Sequence, residues 1–298
     1  MKVSNWVAAM AFCLAAAANA QDPAGEDAIS LERSSDWVLD YADHRCRLAA
    51  TFGEGESQTV LLLEQYSPSN SLRWLVAGPY LGRLRNGRKL EVQFGPGFDP
   101  FTVEFDGRSF GRYGAAAHGQ WPPSDYDDSE EAEDEVPANR ARTRLDVGEG
   151  TGLRWIGLQR RGKARLKLET GELESIYGAM NSCMDDLVAS WGLDPAQDRR
   201  RAKGPVFTNR DSVFRDLVRS YPNSALARGL QADLHLRLMV DQNGVATECV
   251  ITNVTVAERF DDGACGPLMR RGKFEPARDD EGNAIPSYYT LFVYYRLG

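Results

Sequence analysis

Gly107-Arg108-Ser109-Phe110-Gly111 places a serine between two glycines, with His118 close behind. Such a G-x-S-x-G elbow works by exposing its serine on a sharp turn from strand to helix, within an alternating α/β framework. Here Phe101, Val103 and Phe105 alternate with Thr102 and Glu104 and supply a strand. Gly111, Gly114, Gly119 and Pro122 then oppose the helix that should follow. The order serine, acid, histidine also fails, because no histidine lies between the acids that begin at Asp125 and His235. Asp106-Gly107 reads instead as a turn between strands. A secreted serine hydrolase using Ser109 is therefore the least favoured function. His44, His118 and His235 are too few and too scattered for metal ligation. Asp185-Asp186 reads as a solvated pair, and Gly78-Pro79 and Gly95-Pro-Gly97 as turns rather than phosphate-binding loops. These residues point to no enzyme, no cofactor and no metal.

Charge narrows the classes further. The formal net charge is −8, and eight acids fall in one run with no base among them: Asp125, Asp127, Asp128, Glu130, Glu131, Glu133, Asp134 and Glu135. The run lacks the ligand-and-glycine spacing of a calcium loop and reads as a disordered acidic insertion at 118–144. The remainder is near neutral, without the basic face that nucleic acid requires. The bases Arg199, Arg200, Arg201 and Lys203 read as solvated linker residues, with pairing to the acidic insertion as an alternative.

The N-terminus reads as an export signal. Lys2, an apolar run through Trp6, Phe12 and Leu14, and Ala18-Asn19-Ala20 before Gln21 form the three parts of a secretory signal peptide. The apolar run is shorter than the roughly 20 residues a membrane span needs. The expected localisation is the periplasm; the alternative is an uncleaved anchor in the inner membrane with the chain facing the periplasm. Cys46, Cys183, Cys249 and Cys265 remain after cleavage, and none has metal or redox spacing. In an oxidising compartment they read as two disulfides with three connectivities open.

Periodicity supplies the elements. Short apolar/polar alternating runs begin near Trp37 and recur at Cys46 to Phe52, Leu72 to Val76, Leu90 to Phe94 and Phe101 to Phe105, with an apolar run at Val60 to Leu63. One dry and one wet face indicates antiparallel sheet. Leu153 to Leu158 and Ala164 to Leu168 resume the pattern. One long helix follows, its apolar positions running from Leu173 through Ile176, Met180, Cys183 and Leu187 to Trp191, with Thr170 as the expected N-cap and Gly192 as the C-terminal cap. Cys183 on that stripe faces the dry side of the strand that carries Cys46. Keeping each bridge within one domain then predicts Cys46–Cys183 and Cys249–Cys265. The expected organisation is α+β: signal peptide 1–20, a β-rich domain at 36–193 closed by the helix, a linker at 194–217, and a small domain at 218–298.

The tail is the most legible stretch. Tyr221-Pro222 leads into a short helical segment. Leu234, Leu236, Leu238 and Val240 then alternate with His235, Arg237 and Met239, and His235 is expected to be exposed. Asn243-Gly244 marks a hairpin, and Ser287 to Arg296 is a closing strand rich in aromatic and β-branched residues. With Ala225, Gly229, Val240-Asp241, Gly244-Val245, Phe274, Pro276-Ala277 and Tyr289, Val293 and Tyr295, this order resembles the C-terminal domain of the TonB family of energy transducers. The likeness spans the last quarter of the chain. It implies a module that binds outer-membrane receptors, or other envelope proteins, from the periplasm and does no chemistry. It further implies a three-stranded antiparallel sheet backed by short helices, with 287–297 at its edge and open to strand addition. The residues expected to meet the partner are Tyr221, Pro222, Tyr289, Leu291, Val293 and Tyr295, or the opposite-face neighbours of the last four. Gly266-Pro267 falls where the family's second helix runs, so that helix is expected to be short or to start near Pro267.

The reading is thus a periplasmic adaptor engaging outer-membrane transporters; the alternative is a true energy transducer that keeps its anchor. The intact mass of envelope-purified protein is expected to correspond to a chain starting at Gln21. A membrane-bound species retaining Met1 would favour the transducer.

Overall fold

The computed structural model describes residues 28–84, 88–105, 107, 109–123, 144–161, 163–254 and 261–295. The expected signal peptide and the acidic run lie outside these residues. The first half holds ten strands: β1 (Ala28–Glu32), β2 (Val38–Ala42), β3 (Arg45–Phe52), β4 (Thr59–Gln65), β5 (Leu72–Ala77), β6 (Lys89–Phe94), β7 (Phe101–Glu104), β8 (Ala116–Trp121), β9 (Ile156–Gln159) and β10 (Arg165–Glu169). They form two five-stranded sheets, in the orders β2-β3-β4-β5-β8 and β1-β10-β9-β6-β7. Leu48, Phe52, Leu61, Leu63 and Trp74 of the first meet Leu90, Val92, Phe94, Ile156 and Leu166 of the second in one apolar core. The single long helix α1 (Glu174–Ser190) joins that core through Ile176, Tyr177, Met180 and Met184. A disulfide from Cys183 to Cys46 on β3 fixes it there, with Cα atoms 6.1 Å apart.

Several local expectations change. β1, ahead of the β-rich domain expected to begin at residue 36, pairs in parallel with β10, so the second sheet is not wholly antiparallel. Its ladder holds it, helped by Ile29 and Leu31, which pack on the core. β8 occupies the start of the stretch assigned to the acidic insertion and pairs with β5 from Leu72–Trp121 to Ala77–Ala116. Thr170 does not cap α1; its hydroxyl bonds the Gly171 carbonyl, and Leu173 begins the helix without a side-chain cap. Gly192 ends it as expected, with φ of 79°. Asp194 then starts a new helix, α2 (Pro195–Arg199), by accepting the Ala196 N–H at 2.8 Å. Proline at the first helical position suits this, since its missing N–H has no partner there anyway.

The stretch read as a linker is folded into the tail. β11 (Arg201–Lys203), β12 (Val206–Phe207) and α3 (Arg210–Arg219) precede α4 (Asn223–Leu226), β13 (Ala232–Val240), β14 (Ala246–Val254) and α5 (Asp261–Arg271). The chain closes through β15 (Phe274–Glu275), β16 (Ala277–Asp279), β17 (Ala284–Ile285) and β18 (Ser287–Tyr295). β12 pairs with β15, and β11 with β16. The main tail sheet has the order β14-β13-β18, so the closing strand pairs with the first hairpin strand rather than the second. Val213, Leu217, Ala264 and Leu268 from α3 and α5 cover one face with Leu234, Leu236 and Leu238 of β13. α5 runs through Gly266-Pro267 rather than starting at it. Cys249–Cys265 ties this helix to β14 and closes a separation of 16 residues, worth about 3 kcal/mol in the chain-entropy model.

The hairpin loop shows why its glycine is required. Asp241 bonds the N–H groups of Asn243 and Val245 through its carboxylate, which holds its pKa below the usual range, and Gly244 adopts a φ of 78°. The Phe274 N–H donates to the Gly244 carbonyl at 3.3 Å. A Cβ on Gly244 would lie 2.0 Å from the Phe274 carbonyl oxygen. Gly244→Ala is therefore expected to lower unfolding stability by about 2 kcal/mol. Urea denaturation checks this; an unchanged midpoint would show that the loop and the 274 segment separate freely.

Candidate functional site

The residues that resembled a catalytic serine site are structural. Ser109 forms an isolated bridge with Ala115, and Phe110 and Tyr113 cover the outer face of the first sheet over Val60, Leu62 and Ala116. The segment is a covering loop, not a strand-to-helix elbow. Among the described residues no group of histidine, cysteine and carboxylate side chains has metal-binding geometry, and no helix is long and apolar enough to cross a membrane.

The tail sheet has more to do. β18 pairs along its whole length with β13, from Ala232–Tyr295 to Val240–Ser287, and among the described residues no strand pairs with its other side. Its side chains divide by the period of two. Leu291, Val293 and Tyr295 are buried in the tail core, and Tyr289 packs against Phe274 and Phe207 with ring centroids 5.4 and 5.8 Å away. Tyr221 also serves that core: its ring meets Tyr295 edge-on at 5.0 Å and its hydroxyl donates to the Leu230 carbonyl. Pro222 sits at the N-cap of α4. The side chains of Tyr221, Tyr289, Leu291, Val293 and Tyr295, expected to read a partner, thus fill the interior instead. Alternation alone could not decide which face was dry.

The opposite face of β18 carries Tyr288, Thr290, Phe292 and Tyr294. Tyr288 is buried; its hydroxyl accepts from Arg201 at 2.7 Å and lies 3.4 Å from the Pro68 carbonyl. Burial pushes its pKa well above the ordinary tyrosine value. Phe292 and Tyr294 are 43% and 60% exposed, with rings nearly parallel and centroids 6.1 Å apart. The strand is therefore anchored at its start and open on its outward face towards its end.

The first half of the chain does the anchoring. Val188 and Trp191 at the end of α1 pack on Met239 and Tyr288. The Arg237 guanidinium lies 4.0 Å from the Trp191 ring centre, and desolvation lowers its pKa. Arg201 pairs with Asp198 at 3.2 Å, Asp198 with Arg144 at 3.1 Å, and Asp185 with both Arg144 and Arg199. Asp185 and these arginines are thus engaged with one another, not simply solvated. Further along, Tyr66 lies edge-on to His235 at 5.0 Å and receives a bond from Asn253 at 3.3 Å. The Arg73 guanidinium sits 5.8 Å from the Tyr66 ring centre and 6.0 Å from that of Phe292. None of these cross-chain partners has a sequence signal, since each depends on how the two halves pack.

His235 corrects the expectation of exposure most sharply. It is 7% exposed, with Nδ1 2.6 Å from the Thr252 hydroxyl and its ring 4.5 Å from Phe292. Burial first, then Arg73 and Arg237, hold its pKa down to about 4, below the ordinary 6.5. The folded state therefore keeps it neutral, and the unfolded chain takes the proton first as pH falls. Its contribution is complete above pH 6.5 and declines towards pH 4, by on the order of 3 kcal/mol. A His235→Gln variant is expected to show a shallower loss of stability across that window. Parallel curves for the two proteins would show that His235 is not buried neutral.

No curated protein matches the chain. Residues 218–297 match the family model described as Gram-negative bacterial TonB protein C-terminal, and the sheet and helices above are consistent with a TonB C-terminal domain over that stretch.

Proposed function

We propose that the chain is an exported, non-enzymatic adaptor of the Gram-negative envelope, with a signal peptide at 1–20, a β-rich unit at 36–193 and the TonB C-terminal domain as its binding module. The proposed partner is an outer-membrane transporter or another envelope protein, bound as an extended segment along β18. The open edge of β18 carries this reading: it has main-chain donors and acceptors along one side and an exposed aromatic pair on its outward face. Main-chain bonds to the edge supply affinity without chemistry, and alternate side chains of the incoming segment lie beside Phe292 and Tyr294. The first half of the chain packs on the face of the tail sheet and leaves this edge open.

The test is titration of the whole disulfide-bonded chain with peptides from the periplasmic N-termini of outer-membrane receptors, followed by backbone NMR. Amide shifts are expected to concentrate at 287–295. Saturable binding that perturbs other strands, or no binding at millimolar peptide, would overturn strand addition at this edge.

A further inference from the structure

Resting on the proposed use of the β18 edge, we propose that Arg73, on β5 of the first half, forms part of the recognition site and selects an incoming strand carrying an aspartate or glutamate across from Phe292. Arg73 is exposed, makes no ion pair among the described residues and projects over the face of an edge-strand residue. Tyr66 and Phe292 bracket its guanidinium, so its side chain has fewer positions to lose on binding than a free surface arginine. A strand added to β18 places one residue opposite Phe292, with Cβ atoms about 5 Å apart on the same face. A carboxylate at that position comes within reach of the guanidinium, and charge-assisted pairing with arginine favours carboxylate over any neutral side chain.

The next row sets the register. Tyr294 lies opposite Asp233 of β13, on the same face as Phe292. The position across from Tyr294 favours an apolar or aromatic residue, because the exposed Tyr294 ring offers it a flat apolar surface. The preferred segment therefore carries an acid and, two residues along, an apolar side chain. This gives the first half of the chain a role in specificity as well as support.

A library of random nine-residue peptides displayed on phage, panned against the whole chain and against Arg73→Glu, tests the assignment. The wild-type chain is expected to enrich aspartate or glutamate at one position, and R73E lysine or arginine at that position. Exchanging acid for base in a selected peptide should weaken wild-type binding about fivefold, and R73E should reverse that preference. Thermal melting checks that R73E folds as the wild type does. If both proteins select the same composition while NMR shifts still map to 287–295, Arg73 has no part in recognition and strand addition stands. If no peptide is enriched, or the shifts map elsewhere, the edge-strand reading fails and the role of Arg73 fails with it.

Discussion

Strand β13 is buried on both faces, and the rest of the structure follows from that constraint. One face gives Leu234, Leu236 and Leu238 to the tail core. The other gives His235, Arg237 and Met239 to the first half of the chain. Burying an arginine costs several kcal/mol unless something replaces its water. The Trp191 ring offsets part of that cost, a desolvated cation–π contact being worth about 2 kcal/mol or more. Arg237 is 4% exposed and that ring is its closest aromatic neighbour, so the end of α1 must stay where it is. The Cys46–Cys183 bridge then holds α1 against β3. A contact deep in the tail is thereby tied to the opening strands.

This packing also determines what the tail can offer a partner. In a three-stranded sheet the two outer strands both have open edges, but β14 is bound to α5 through Cys249–Cys265. Among the described residues β18 has no such tie on its outer side. Its first residues are held by Arg201, Pro68 and Trp191 around Tyr288; towards its other end Tyr295 packs on Tyr221 while Phe292 and Tyr294 stay exposed. An extended segment arriving at that end would meet main chain below and the side chains of the first half above. Under the proposed strand addition, recognition would draw on two parts of the sequence that lie far apart in the chain.

Much of this was legible in the amino-acid order, and the losses have physical causes. The strands from Cys46 to Phe94, the long helix, the hairpin at Asn243-Gly244 and the closing strand all follow from periods of two or 3.6 with turn residues between them. What periodicity misses is burial on a second face. His235, Arg237 and Tyr288 occupy the polar phase of their strands and look solvated; they are buried because another part of the chain covers them. The same blindness made 194–217 look like a linker, since two- and three-residue strands such as β12 carry no period to detect. β1 and β8 were missed for a related reason: β1 has only two apolar side chains on the core, and the Ala116-Ala117-His118-Gly119 run of β8 shows no clear alternation, although Trp121 at its end is buried against Phe94. Which phase of β18 faces outward stayed open in the sequence, because aromatic residues occupy both of its phases.

Orientation between the halves rests on more than apolar contact. Val188, Met239 and Tyr288 alone would tolerate sliding, because dispersion contacts are non-directional. The series Arg144, Asp198, Arg201 and Tyr288 is directional at two of its links, where Arg144 donates to Asp198 at 3.1 Å and Arg201 to Tyr288 at 2.7 Å; Arg201 and Asp198 meet as an ion pair at 3.2 Å. Asp198 is almost wholly buried between two arginines, so moving either one away would weaken the compensation of its charge. A slide of one ångström therefore costs little in apolar packing but much in this network. The network lies beside the start of β18, so the strand is most firmly positioned at the end away from the exposed aromatic pair. The tail sheet is thus held against the first half of the chain by apolar contact and by this network together.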